Sequence, residues 1–549
     1  MADRLAFRGI SRRRMHRLLT GAGSAAVLTP RLLAHPPAAL AGPSTVTPLP
    51  AVPPAANVGV NEAFLAMPFA RSSGAGWTRW TVQWFNVQPQ PGELNVHYFL
   101  DNQSRSILEE TVRSGMKVAA IILGTPEWAA ATPGLKRGTS VHRGLHEPGF
   151  AGGAPNPANT WGWFIYHFAA TYKGLIDVYE IWNEPEIPPY GSNALYHTWA
   201  GSPADYHRLL KVAAEAARAA NPHARIVTAP YAYFRDKQEA AGVSLPWFDA
   251  FAAAVQSDPA GASVFDVFAL NLYRNAHDLW DRLHGGVPQA AEPADAIGFR
   301  DRLAAIGAET EPVWVTETNS MPFDDSVPGW DPVERYDYFR ITMDEQASYV
   351  LQAYAIGLAA GYEKVFWQSL TDDAYPVPDE LWGLVRFHED RYNSDESRVR
   401  PAYVAFQVAA RYLGDADWAQ LLVQTRPDPQ NLTQYAARYD WAGHLGVFQR
   451  GARRTHVLWN GTDQPLPVSL RAWGGAARVV DKYGQETPFA PDGDGRLTVT
   501  LEPATRHFVH PVFGQDPPGY FYVGGSPLLV VEEDVPPDAP VEAPGFAPA

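Results

Sequence analysis

"VYEIWNEPEIPPY", residues 178–190, starts as a buried strand and ends in chemistry. Its first half is apolar and β-branched, as in a parallel strand covered on both faces. It stops at Pro185, which cannot continue a hydrogen-bonded ladder, and against that stop stand Trp182, Asn183 and Glu184. A core strand has no use for an amide and a carboxylate at its tip. A strand that surfaces at the rim of a barrel does.

Short runs of the same kind recur on either side. They are "NVGV" (57), "GWTRWTVQW" (76), "KVAAIILG" (117), "DVYEIWN" (177), "RIVTAP" (225), "FDVFALNLY" (265), "PVWVTETN" (312) and "KVFWQSL" (364). Amphipathic stretches separate them, among them "SPADYHRLLKVAAEAARAAN" and "DEQASYVLQAYAIGLAAG", the second closing on Gly361 as a helix C-cap would. Eight strand-then-helix units predict an α/β fold of the (β/α)8 TIM-barrel type over 57–412. A doubly wound sheet would carry a Gly-x-Gly-x-x-Gly turn after its first strand, and none is present. Alternating strands then take over ("THVLWNGT", "PVSLRAW", "ARVVDKYG", "RLTVTLE", "RHFVHPVF"), predicting a C-terminal β-sandwich domain over 416–525. A Pro-rich linker is expected at 42–56 and a disordered acidic, Pro-rich tail at 531–549.

Composition narrows the partners. The 549 residues are 46% hydrophobic and include 18 Trp, enough for a large core and for a groove that stacks sugar rings on indoles. The net charge is −15, and residues 1–41 hold seven Arg against one Asp, so the remainder stands at −21. Such a chain repels nucleic acid and anionic lipid, and neither is expected as a partner. With no Cys, and no His cluster at metal-ligand spacing, neither a metal site nor any cofactor is expected.

In a (β/α)8 barrel the chemistry sits where strands end at the C-terminal rim. Glu184 closes the fourth strand and Glu317, in "VWVTETNS", the seventh. Strands four and seven face each other across the mouth, which suits glycoside hydrolysis: one carboxyl protonates the leaving oxygen and the other attacks or stabilises the sugar cation. Glu180, inside strand four, reads as part of an internal polar network, and Glu127 and the pair Asp372-Asp373 as rim residues of loops or subsites.

"IWNEPE" together with "TETN" resembles clan A glycoside hydrolases, the retaining barrel glycosidases, and most closely the β-xylosidase and iduronidase (family 39-like) branch. The resemblance covers about residues 57–412 and extends to the trailing sandwich. It implies that Glu184 is the acid/base, Glu317 the nucleophile, and Asn183 a hydrogen-bond partner of the sugar 2-hydroxyl. Residue by residue, Arg79 in "WTRW" is similar to the strand-two Arg beside the nucleophile, Tyr273 in "LNLY" to the Tyr that orients it, and Trp367 in "VFWQS" to the strand-eight Trp beneath the sugar. Asn271 stands close to the sugar where many members have His. The alternatives are a barrel ion pair for Arg79 and core packing for Trp367. The activity implied is that of a retaining β-glycosidase on a glycan or glycoside; a carbohydrate-binding barrel that has lost catalysis is the rival reading.

The N-terminus adds an address. Arg12 and Arg13 follow Ser11 in the manner of a twin-arginine signal, a weakly apolar stretch follows, and Ala39-Leu40-Ala41 offers a small-x-small cleavage site. Residues 1–41 are therefore expected to direct a secreted or periplasmic product. Replacing both Arg by Lys is expected to retain the protein inside the cell, and unchanged secretion in a fractionation assay would refute the signal.

Overall fold

The computed structural model of the chain describes residues 46–92, 94–95, 105–135, 138–187, 198–232, 245–273, 276, 278–285, 297–325, 340–372, 381–425, 441–505, 523–542 and 545–546. The expected signal and the sandwich run "RHFVHPVF" lie outside them. Eight parallel strands carry the first domain: β1 Val52–Asn61, β2 Ser73–Gln83, β3 Lys117–Leu123, β4 Val178–Ile181, β5 Arg225–Thr228, β6 Phe268–Leu272, β7 Val313–Thr318 and β8 Lys364–Trp367. Each coincides with an expected run. They hydrogen-bond in the order β5-β4-β3-β2-β1-β8-β7-β6, and β5 meets β6 through the bridges Val227 to Val267 and Tyr231 to Leu270. The sheet therefore closes on itself.

The helices following the strands are α1 Met67–Ser72, α2 Arg105–Arg113, α3 Thr160–Tyr172, α4 Pro203–Ala220, α5 Pro246–Ser257, α6 Phe299–Ala304, α7 Met343–Ala360 and α8 Pro401–Tyr412. Their ends are written in the sequence. Ser202 and Asp205 form a reciprocal capping box on α4, and Thr342 and Glu345 do so on α7. Gly361 ends α7 in the left-handed region at φ 97°, where a Cβ would be strained.

The barrel interior is packed at its base. Trp77 and Trp314 meet edge to face at 5.5 Å, and the Lys364 ammonium lies 4.7 and 5.2 Å from their ring centroids. Gly59 has no side chain because Phe366 occupies that space: a Cβ there would stand 2.3 Å from the Phe366 ring. Strand alternation then lifts Arg79, two residues after Trp77, into the layer beneath the mouth.

The sandwich comprises β9 Trp418–Thr425, β10 Trp441–Arg450, β11 Arg453–Asn460, β12 Leu466–Arg471, β13 Ala476–Asp481, β14 Glu486–Phe489, β15 Arg496–Leu501, β16 Leu528–Glu533 and β17 Gly545–Phe546. Six strands form one sheet, β9-β10-β11-β16-β13-β14, and three form the other, β15-β12-β17. Two expected boundaries move. Within the tail expected to be disordered, residues 531–533 complete β16, between β11 and β13, and Gly545–Phe546 form β17 beside β12. Acidity misled there, because the Glu532 carboxylate is buried and accepts from the backbone N–H groups of Trp473 and Gly474 (2.7 and 2.9 Å) beside His456 (3.1 Å). The linker also ends earlier than 56. β1 starts at Val52, and Leu49 exchanges two hydrogen bonds with the Gln407 side chain of α8 (2.8 and 3.2 Å).

One face of the larger sheet packs on the smaller sheet through Leu445, Val447, Leu458, Val468, Leu497 and Val530. Its other face, with Phe448, Val457, Trp459, Val480, Leu529 and Val531, joins the core shared by α7 and α8. This explains why α7 is buried nearly all round: the barrel covers one side and the sandwich the other. Lys482 donates to the Asp344 carbonyl and the Ser348 hydroxyl of α7 (3.1 and 3.0 Å), and Gln352 bonds Gly524 and Gly525. Burying those six apolar side chains is worth about as much as the ~5–15 kcal/mol that holds a whole domain folded. Removing residues 416–549 is therefore expected to leave an insoluble barrel, and the intact chain to melt in one cooperative calorimetric transition. A soluble, folded barrel after deletion would refute this.

Candidate active site

Arg79 on β2 organises the mouth. Its Nε lies 3.0 and 3.1 Å from the two Glu180 oxygens, its Nη2 donates to Glu180 Oε1 (2.6 Å) and Asn183 Oδ1 (3.0 Å), and its Nη1 donates to Glu317 Oε1 (2.6 Å). One planar guanidinium thus ties β2 to β4 and β7. Tyr273, just past β6, donates its hydroxyl to the other Glu317 oxygen. Two residues before Tyr273, on β6, Asn271 Nδ2 donates to Glu184 Oε1 at 2.8 Å. The structure therefore brings Arg79, Asn183, Glu184, Asn271, Tyr273 and Glu317 together. Glu180 is the internal polar residue expected, with Arg79 as its partner.

Glu184 does not sit on the strand itself. β4 ends at Ile181, and the next residues turn sharply, with Trp182 at φ 76° and Glu184 at φ 43°. Non-glycine residues in that region cost of order 1–3 kcal/mol each and persist only when their surroundings hold them. Here the Trp182 N–H donates to the Ile122 carbonyl (2.9 Å) and its indole to the Thr198 carbonyl (2.9 Å), while the Thr198 hydroxyl returns to the Glu184 carbonyl. The Trp182 ring also packs edge to face on Trp199 at 4.8 Å.

Trp367 does not join the group. Its neighbour Phe366 fills the barrel interior, so by alternation Trp367 points outward, fully buried, with its ring 6.0 Å from Tyr349 of α7 and its indole donating to the Trp382 carbonyl (3.3 Å). The expected sugar-floor role is corrected to core packing. The next residue, Gln368, accepts from Asn61 Nδ2 (2.5 Å) at the level of Arg79. Among the described residues an aromatic beside the site is Trp382, with its ring centroid 5.2 Å from that of Tyr273. It lies in the irregular stretch "LWGL", where no periodicity marks it.

Of the expected rim carboxylates, Asp373 lies outside the described residues and the other two have structural tasks. Asp372 is fully buried and takes a two-pronged bond from Arg400 (2.7 and 2.8 Å), which also reaches Asp325 (2.7 Å), clamping the segments after β7 and β8 to the start of α8. Glu127 is exposed and accepts from the Gly134 N–H (3.0 Å). Among the described residues no group of three or more His, Asp or Glu is arranged to hold a metal.

No family model matches the chain, and none of the curated protein sequences does. Solved structures do. A family 39 glycoside hydrolase from the gut symbiont Bacteroides cellulosilyticus WH2 superposes with a TM-score of 0.56 at 15% identity, over 87% of this chain and 81% of that one. A family 30 endoxylanase from Clostridium papyrosolvens C71 and a conserved exported protein from Bacteroides fragilis each give 0.50 at 10% identity, over 89% of this chain and 99% of theirs. The fold shared with these structures is a (β/α)8 barrel with a C-terminal β-sandwich.

The shared Arg79 has an electrostatic signature. Burial is the largest influence on Glu180 and lifts it to about 6, against the pull of Arg79 and with added repulsion from Glu317 and Glu184. Burial also disfavours charge on Arg79, but Glu180 and Glu317 together outweigh it and hold the guanidinium charged. A carboxyl raised on folding contributes stability that is fully present below its unfolded value of about 4.5 and lost as pH rises through about 6. Glu180→Gln is expected to remove about 2 kcal/mol of pH-dependent stability across that interval. A denaturation series against pH checks it: a variant with the wild-type slope between pH 4.5 and 6.5 would place the titration on another group.

Proposed function

We propose that this protein is a retaining β-glycosidase working by double displacement, with Glu317 as nucleophile and Glu184 as acid/base. The observation that carries the reading is the setting of Glu317, gripped by a cation and a phenol, Arg79 and Tyr273, in the same mouth as Glu184, which accepts from the Asn271 amide. An attacking carboxylate gains from that cation and phenol, which leaves the acid/base role to Glu184.

In the first step Glu317 forms a bond to the anomeric carbon as the glycosidic C–O bond breaks, and Glu184 passes its proton to the departing oxygen. In the second, ionised Glu184 takes a proton from water, whose oxygen displaces Glu317 and frees the sugar. Asn183 contributes through orientation. Its Oδ1 is tied to Arg79, which leaves its Nδ2 to donate to the sugar 2-hydroxyl. The expected separation of the two carboxyls is about 5–5.5 Å, with no room for an intervening water. Export through residues 1–41 belongs to the same reading, and among the described residues no helix is long and apolar enough to cross a membrane.

Proton NMR of the first product formed from an aryl β-glycoside is expected to show the retained anomer. Glu317→Ala should abolish turnover, with azide restoring it and giving an inverted glycosyl azide. Glu184→Ala should hurt substrates with poor leaving groups most, because good ones need no proton. An inverted product from the unmutated protein overturns the nucleophile role of Glu317, and inactivity across a panel of aryl β-glycosides favours the carbohydrate-binding alternative.

A further inference from the structure

Asn271 is engaged at both ends of its amide. Its Nδ2 donates to Glu184 Oε1 (2.8 Å), and its Oδ1 accepts from the Thr316 hydroxyl (2.9 Å). It is 2% exposed. Thr316 reaches it through an irregularity in the sheet: β6 and β7 pair Leu270 with Val315 but Asn271 with Glu317, so Thr316 is the extra residue of a bulge. The Thr316 carbonyl is itself held by Asn61 Nδ2 (3.0 Å). The group that fixes Glu184 is thus fixed by the residue next to Glu317.

The chemistry of an amide makes this arrangement directional. With its oxygen turned to the Thr316 hydroxyl, Asn271 can offer Glu184 only an N–H, and it offers the same N–H whether that carboxyl is protonated or ionised. Oε1 is therefore kept as an acceptor, and the proton to be transferred resides on Oε2. The bond also strengthens as charge appears on the carboxylate, which favours the state formed when the proton leaves.

We infer that Asn271, held by Thr316, is a positioning residue that assigns the transferable proton of Glu184 to Oε2 and holds that oxygen on the leaving group; the inference rests on the glycosidase reading. The test uses Asn271→Ala and Thr316→Val in the full chain, with two aryl glycosides of one sugar, carrying 2,4-dinitrophenolate and 4-methoxyphenolate leaving groups. It reads kcat/KM, which reports the first step alone. General acid catalysis is worth about 10²–10⁴-fold, so displacing the acid should cost Asn271→Ala roughly tenfold or more on the poor leaving group beyond its loss on the good one. Thr316→Val should show the same pattern at smaller size, and KM should change little. Equal losses on both substrates, or a loss carried by KM, overturn the inference and make Asn271 a sugar contact or a structural residue. The sugar is one that the wild type turns over in the aryl-glycoside panel, and a wild type inactive across that whole panel overturns the glycosidase reading instead. Crystal structures of the wild type and Asn271→Ala then decide the positioning alone: it requires the Glu184 carboxyl to leave its place in the variant, and an unmoved carboxyl overturns it. Should Asn271→Ala not fold, Thr316→Val carries the same measurements.

Discussion

A single buried guanidinium constrains the mouth of this barrel. Arg79 must be satisfied on β2, yet its partners come from β4, the turn after β4, and β7. Removing one member of such a buried set costs about 3–5 kcal/mol, because the others are left charged without a partner. Glu180 occupies most of the fork and sets its plane, and Glu317 receives what the fork has left. The position of Glu317 thus depends on a residue four places before Glu184, and on the strand register that brings them level. That register starts at the base, where Trp77 and Trp314 fill the interior and Lys364 covers them.

Strain on the other side of the mouth has the same logic. Two left-handed residues in three would unravel a free turn. Here Thr198 bonds at both ends of the segment, to the Trp182 indole and the Glu184 carbonyl, and Trp199 packs on the Trp182 ring. The turn carries the Glu184 side chain off the strand line and over to Asn271 of β6. A regular strand extended to residue 184 would have carried it along β4 instead.

The sandwich takes part in this order through α7. Its Lys482 holds Asp344 and Ser348, and on the same helix Gln346 donates to Asn319 Oδ1 (3.3 Å) and the Ser320 carbonyl (3.0 Å), just beyond Glu317. Tyr349 shares a hydrogen bond with Thr318 (3.0 Å). A helix gripped from both sides transmits the position of one domain to the strand end of the other.

The sequence by itself determined the eight strands, because each is a short apolar run between turn residues, and it singled out Glu184 and Glu317 as carboxylates at the ends of such runs. Arg79 and Tyr273 were suggested by the resemblance of "WTRW" and "LNLY" to known motifs, and both bond to Glu317. Trp367 was not. Whether a strand residue faces inward depends on its parity about the barrel axis, and Phe366 holds the inward place. Asp372 read as a rim group because its partner, Arg400, lies 28 residues away. β16 was hidden because the charge of Glu532 is cancelled only by folded neighbours. The hold of Thr316 on Asn271 comes from a bulge between two strands, and a bulge exists only once both strands are paired. Local pattern fixes what a residue can be; which partners satisfy its charges and hydrogen bonds is decided by contacts between segments far apart in the chain.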